Sequence, residues 1–432
     1  MCSLCCGHRF EESLPAPSVM ACTADSLHEG SACYRRGRVS VPVSEIETRI
    51  AGTQAALVER HIDCAIIVQS ADLFYLTGTA QQSHLLVPAV GEPLLLVRRD
   101  PVRARAESPL ERVESFTSFR TLPDSLARLG VSAEARLGLE LDILPVLSFR
   151  RYEKLFPQAE LVDCGGVLRQ LRAVKSPWEL ERLREAGGQA AAAFAAAASA
   201  LTPGMTEGEL ASVVASTLWR EGHSGLLRMR GLNQEMPLVH VLSGPDAGAA
   251  TGADSPFGGE GRTAAYPQGA SDRPIGRGEA VVIDLGASVE GYIVDQTRTL
   301  CIGPLPGALR SAYETCRSIH HETAAAARPG VPCTEVYDLA VRRAAEAGYE
   351  NTFMGTSPLQ VSFVGHGIGL EVNELPILGR GFEAPLVAGN VVAVEPKIRL
   401  PGEGAVGIED TFVVTPDGLA ALSTGDEDVW EV

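Results

Sequence analysis

Residues 281–299 read VVIDLGASVEGYIVDQTRT. Asp284 closes an apolar, β-branched run, Gly286 to Gly291 reads as a hairpin turn, and YIVD then carries Asp295 into a second apolar run. A hairpin of this length sets the two carboxylates side by side on neighbouring strands. Buried at close range they repel one another unless a proton or a cation lies between them. An exposed loop aspartate plus a helix cap would explain one of them, but not both in apolar strands.

The same problem recurs downstream. VVAVEPKIRL and GIEDTFVV place Glu395 and Glu409 among apolar neighbours, where an unpaired carboxylate is costly. Gly278 precedes AVVID and Gly389 precedes VVAVE, with the carboxylate six positions on in each case (284 − 278 and 395 − 389). The helical segments echo one another too. LTPGMTEGELASVVASTLWREG and ARPGVPCTEVYDLAVRRAAEAG each read as a Pro-Gly turn, a threonine cap and an amphipathic helix ending in glycine. Two similar α/β units, each with one acidic pair, predict halves that face each other across a shared site. Between the pairs lies FVGHGIGLEVNELP, where Gly365 and Gly367 flank His366 and are expected to leave its imidazole room to approach a ligand. A lone histidine is more often structural, but four otherwise unexplained carboxylates invert that prior. Asp284, Asp295, His366, Glu395 and Glu409 make a hard, oxygen-rich set for two divalent ions. It suits manganese or cobalt best, with iron, zinc or magnesium also compatible. Two ions about 3.5–4 Å apart can share a hydroxide that attacks a carbonyl.

Upstream, SEIETRIAGTQAALVERHIDCAIIV reads as an amphipathic helix and a buried strand, and HLLVPAV, EPLLLV, RLGLEL and ELVDCG as further strands with helices between them. His84 stands among apolar strand residues and reads as structural. The predicted organisation is a leader over 1–42, an α/β domain over 43–172 and a second domain over 173–432. The second opens on a capping box, Ser176 with Glu179, and a long alanine-rich helix.

With 432 residues, 45% hydrophobic and 21% charged, the composition is that of a soluble globular protein of two or three domains. No apolar stretch reaches the length of a membrane span, and a formal charge of −17 argues against a nucleic-acid partner. Five of the ten cysteines fall in the leader; Cys64, Cys164, Cys301, Cys316 and Cys333 are scattered through core patterns, as reduced thiols of a cytoplasmic protein would be. MCSLCCGHRF holds one CxxC near His8, but no second pair follows to complete a zinc site, so the leader is expected to be disordered.

The strings D-(x10)-D, GHGIGLEVxE, VEP and GIED resemble the pita-bread metallopeptidases: methionine aminopeptidases, prolidases, Xaa-Pro aminopeptidases and creatinases. LFYLTG resembles the creatinase/prolidase N-terminal domain, so the likeness covers roughly residues 43–432. It implies an α/β (α+β) fold, a creatinase/prolidase-type N-terminal domain with a pseudo-symmetric pita-bread C-terminal domain. It also implies a homodimer and a short peptide substrate. By this resemblance Asp295 and Glu409 bridge the metals and Asp284 completes one site. His366 and Glu395 complete the other, with Glu395 also handling the proton. Three outer positions depart from the family. No histidine follows the SG turn in VLSGPDAGAATGADSP, Asn373 stands where HExP has histidine, and Gly407 stands where an arginine usually precedes the last ligand. His240 and Asn373 are the candidate substitutes for substrate binding. The function implied is a dinuclear-metal peptidase of the Xaa-Pro type with altered specificity. The alternatives are hydrolysis of a non-peptide C–N bond and a metal-binding scaffold.

Overall fold

A computed structural model describes residues 41–252 and 254–432. The expected leader lies, up to residue 40, outside the described residues. Helix α1 (Val43–Glu59) buries Ile46, Ile50 and Leu57 at helical spacing and leads into β1 (Cys64–Ile67), which is buried throughout. There follow α2 (Ser70–Thr77), β2 (Ser83–Pro88), β3 (Leu94–Val97), α3 (Pro101–Glu107) and β4 (Val113–Ser115). Then come α4 (Leu122–Arg128), β5 (Arg136–Leu139), α5 (Val146–Leu155), β6 (Glu160–Asp163) and α6 (Gly165–Ala173). The six strands form one mixed sheet, β4-β3-β2-β1-β5-β6, in which β1 runs antiparallel to β2 and parallel to β5. His84 is structural here: its Nε2 lies 3.0 Å from the Tyr152 hydroxyl and its ring packs on Phe116.

Helix α7 (Pro177–Ala200) starts at the expected capping box. Ser176 Oγ accepts from the Glu179 backbone N–H, and the Glu179 carboxylate accepts from that of Ser176. Its alanine-rich run is a packing face: a Cβ at Gly187 would stand 2.4 Å from the Leu422 carbonyl oxygen. Helix α8 (Glu207–Arg220) is capped by Thr206 in the same way. Next are β7 (Val239–Ser243), β8 (Ala280–Val289), β9 (Tyr292–Cys301), α9 (Gly307–Ala326) and α10 (Cys333–Glu346). The sequence echo between α8 and α10 is incomplete. The N-cap of α10 is Pro332, which offers no side-chain hydrogen bond, and Thr334 lies inside the first turn rather than at the cap.

The chain closes with β10 (Phe363–Gly367), β11 (Glu374–Gly379), β12 (Val391–Val394), β13 (Lys397–Leu400), β14 (Gly404–Gly407), β15 (Asp410–Thr415), β16 (Gly418–Ala421) and β17 (Trp430–Glu431). One sheet is β17-β9-β8-β7, the other β11-β10-β12-β15-β16, and β13 pairs with β14 alone. Thr297 and Glu409 exchange backbone hydrogen bonds of 3.3 and 3.1 Å, which join the two sheets edge to edge. The hairpin is tighter than expected. β8 runs on through Gly286, and the turn is only Glu290–Gly291, with φ of 51° and 85°, as a two-residue hairpin of this type requires. Among its described residues the long segment between Ser243 and Ala280 forms no helix or strand, yet it is pinned. The buried Glu207 carboxylate accepts from the backbone and hydroxyl of both Ser243 and Ser271. Among the described residues no helix is long and apolar enough to cross a membrane.

His320, on α9, tests how far this packing excludes charge. It is 1% exposed, neither ring nitrogen has a hydrogen-bond partner, and its ring lies against Phe412. Asp410 Oδ2 stands 3.7 Å from Nε2, too far for a hydrogen bond. Burial pushes the imidazole down to about 4. The stability gained from burying it neutral is complete above the unfolded value near 6.5 and lost as pH falls through 4. The loss amounts to roughly 3 kcal/mol at the acid end. Urea melts of His320→Leu at pH 7 and pH 4 should show a correspondingly shallower acid loss than wild type. Equal slopes would mean that folding does not depress the basicity of His320.

Candidate metal and catalytic site

The five expected ligands come from both sheets and meet at their junction. On β8 and β9, Asp284 pairs with Thr297 and Asp295 with Gly286, so the two aspartates are diagonal neighbours on one face of the hairpin. His366 is the fourth of the five residues of β10, opposite Ala393 of β12. Glu395 follows β12 and is held by its backbone N–H to Val364 O at 2.9 Å. Glu409 stands at the sheet junction and receives the Thr297 hydroxyl on Oε2 at 2.8 Å. Thr411 Oγ1 ties down Asp295 by accepting from its N–H and donating to its carbonyl, both at 2.9 Å.

Gly365 and Gly367 do not serve to give the imidazole room. A Cβ at Gly365 would lie 2.3 Å from Ala393 O, and one at Gly367 2.2 Å from Leu375 O. Both glycines are demanded by the strands packed on either side of β10. His366 Nδ1 lies 3.2 Å from Gly367 O. A proton on Nδ1 leaves Nε2 with a free lone pair for a metal, and this nitrogen stands 3.6 Å from Glu395 Oε1 and 4.0 Å from Glu409 Oε1.

One residue of the site was missed in the sequence. Lys397, the first residue of β13, is only 2% exposed, and its Nζ donates to Asp284 Oδ2 at 2.9 Å, Glu395 Oε2 at 2.8 Å and Glu409 Oε2 at 3.1 Å. The signal was present as a lone lysine in VVAVEPKIRL with Gly407 downstream. β13 and β14 pair Lys397 with Gly407, where a Cβ would lie 2.5 Å from Lys397 Cγ. The absent side chain at 407 makes way for the lysine stem.

Even with this lysine the cluster is short of positive charge. Burial first, then Glu409 and Asp284, hold the Asp295 carboxyl well above its ordinary value. Burial pushes Glu409 up to about 8 although Lys397 opposes it. Burial would raise Asp284 as well, but the Lys397 ammonium and lesser contributions from its other neighbours together hold the carboxyl below the usual range. Burial depresses Lys397, and its three carboxylate partners more than reverse this. Asp284 Oδ1 and Asp295 Oδ1 are buried without a hydrogen-bond partner. Ligand atoms of Asp295, His366 and Glu409 all lie within 4.8 Å of one another, near the spacing of about 4 Å across a divalent ion with bonds of about 2.1 Å. The donor set therefore fits a divalent cation.

The two candidate substrate residues are placed differently. His240 faces Asp284 across β7 and β8, is fully buried, and has an Nε2 without a partner. Burial lowers its basicity, so it is a neutral imidazole beside the cluster. Asn373 spends its amide on the chain itself: Oδ1 accepts from Arg230 N and Nδ2 donates to Arg230 O, each at 2.8 Å. Arg230, which stood out as polar in RMRGLNQEMPLVH, is buried on Asp72 and Asp142.

Residues 181–416 match the Metallopeptidase family M24, and residues 49–174 match the Creatinase/Prolidase N-terminal domain. The chain is 27% identical over 367 residues to a Xaa-Pro dipeptidase of Pyrococcus horikoshii, an overlap of 84% of this chain and 93% of that protein. Its fold is similar to the dipeptidase PepE of Mycobacterium ulcerans, with a TM-score of 0.75 at 28% identity, covering 91% of this chain and 100% of the other. It is also similar to an X-Pro aminopeptidase of Thermotoga maritima, with a TM-score of 0.73 at 26% identity, covering 88% and 98%. The family match spans more than half of the sequence, in the region that carries the carboxylate pairs and His366, and on that ground the chain belongs to metallopeptidase family M24.

Proposed function

We propose that this protein is a metal-dependent peptidase that hydrolyses short peptides, with specificity of the Xaa-Pro dipeptidase and aminopeptidase type altered by its own outer residues. The observation that carries the reading is the buried convergence of Asp295, His366 and Glu409, with Asp284 and Glu395 beside them, in a cluster short of positive charge. The relatives, named as a Xaa-Pro dipeptidase, a dipeptidase and an X-Pro aminopeptidase, favour a peptide over a non-peptide C–N substrate or a bare scaffold. Manganese or cobalt suits the oxygen-rich donors. A bound ion would polarise the scissile carbonyl and supply hydroxide at neutral pH.

The protein's own groups do the rest. Asp295, His366, Glu395 and Glu409 would hold the ion. Glu395 would also accept the proton released by the attacking water, and its Oε1 faces the donor cluster while Lys397 fixes Oε2. His240 Nε2, unpartnered beside Asp284, would hydrogen-bond substrate in place of the missing histidine of the SG turn. Asn373 would act at one remove, by clamping the chain at Arg230. The homodimer belongs to this proposal on the resemblance alone, and the cytoplasmic location on the pattern of scattered cysteines alone.

With manganese supplied, the protein should cleave dipeptides, with only weak turnover of ordinary Xaa-Pro substrates. A chelator should reduce the rate at least ~10³-fold, and added metal should restore it. A screen of proline and non-proline dipeptides, each with and without chelator, checks this. Cleavage that persists in chelator, or no cleavage of any peptide with any metal, sinks the reading.

A further inference from the structure

We infer that the Lys397 ammonium takes one of the two cation positions, so that this chain binds a single divalent ion where the ligand pattern predicts two. The inference rests on the metal-dependent reading above and concerns how its site is filled.

The oxygens of the cluster are divided between two cations. Lys397 Nζ takes Asp284 Oδ2, Glu395 Oε2 and Glu409 Oε2 at 2.8–3.1 Å. Left over are Glu395 Oε1 and Glu409 Oε1, both turned to His366 Nε2, and the unpartnered Asp284 Oδ1 and Asp295 Oδ1. That remainder is a donor set for one ion. An ion bound to the first group of oxygens would need them at about 2.0–2.2 Å, which places it in the space the ammonium fills.

Displacing the ammonium is opposed in three ways. Its strand position is fixed by the β13–β14 register, Lys397 opposite Gly407. Its stem lies over Gly407, where no side chain competes for the space. It is 2% exposed, so an ammonium drawn away from the three carboxylates would be a buried, unpaired charge, which costs several kcal/mol in other proteins. Four carboxylates face one lysine, and one divalent ion meets most of the deficit. A second ion would put two dications and an ammonium within a few ångströms of one another.

The test is a metal count on the full chain loaded with excess manganese(II) and desalted, read together with its electron paramagnetic resonance spectrum. Wild type is expected to retain one ion per chain with the spectrum of an isolated manganese. Lys397→Ala should retain two that are spin-coupled. By titration, the second ion should bind at least ~100-fold more weakly to wild type than to the variant. Two coupled ions in wild type overturn the inference, and so does a single ion in a folded Lys397→Ala. Should Lys397→Ala not fold, Lys397→Met, which removes the charge and keeps most of the bulk, is counted in its place. The readout stands apart from catalysis. A protein that keeps one ion but cleaves no peptide contradicts the peptidase reading and leaves the ion count intact.

Discussion

Glu395→Gln is expected to lower turnover by at least ~10³-fold in metal-loaded protein. The change keeps the volume and one carbonyl oxygen, so the backbone bond to Val364 and the packing after β12 persist. It removes the negative charge of a residue that, like Glu409, faces both Lys397 and His366. Its Oε2 accepts from Lys397 at 2.8 Å and its Oε1 lies 3.6 Å from His366 Nε2. A neutral amide can neither accept the proton of the attacking water nor balance a divalent ion. Single-turnover rates at saturating manganese, with the metal content of each sample measured, separate the two losses. If the variant holds its full metal complement and still loses the rate, proton acceptance is the function that went. Retention of more than a tenth of wild-type activity would remove Glu395 from the chemistry.

The acidic pairs were legible because burial of a carboxylate is a local property: an aspartate between Ile283 and Leu285 advertises its own cost. The strand segments, the capping box at Ser176 and the buried cysteines were legible for the same reason. What escaped depends on pairings distant in sequence or on neighbours that no pattern names. Lys397 lies two residues beyond Glu395 and looks like an ordinary exposed strand lysine until β14 sets Gly407 opposite it. Gly365 and Gly367 looked like space for an imidazole, but the Ala393 and Leu375 carbonyls that require them arrive from other strands. Thr334 matched Thr206 as a cap in sequence, yet Pro332 ends the preceding segment earlier and takes the cap position. Asn373 read as a substrate contact because its partner, the backbone of Arg230, is 143 residues away.

Arg172→Met should cost about 3–5 kcal/mol of stability, the largest structural loss expected of any single substitution considered for this chain. Arg172 ends α6 and is 3% exposed. Its Nη1 lies 2.6 Å from Asp72 Oδ1 and 2.9 Å from Glu371 Oε2, and its Nη2 pairs with Glu374. Arg230 holds the other Asp72 oxygen at 2.8 Å, Lys175 holds Glu374 Oε2 at 2.9 Å, and Gln69 donates to Glu371. Six charged side chains from both domains thus share one buried interface, and methionine would leave three carboxylates there with too little positive charge. The damage should reach the metal site. Glu374 Oε1 accepts from the N–H groups of Leu370 and Glu371 at 2.8 and 3.1 Å, fixing the turn that follows His366. Loss of Arg172 should therefore weaken manganese binding as well as lower the melting temperature. Arg128→Met is the control. Its partner Glu114 lies 2.7 Å away, but the side chains are 51% and 37% exposed, and such pairs contribute about 1 kcal/mol or less. Arg172→Lys should recover part of the stability, because one ammonium cannot reach all three carboxylates. If Arg172→Met melts within a degree or two of Arg128→Met, the interface network does not hold the two domains and the His366 turn together.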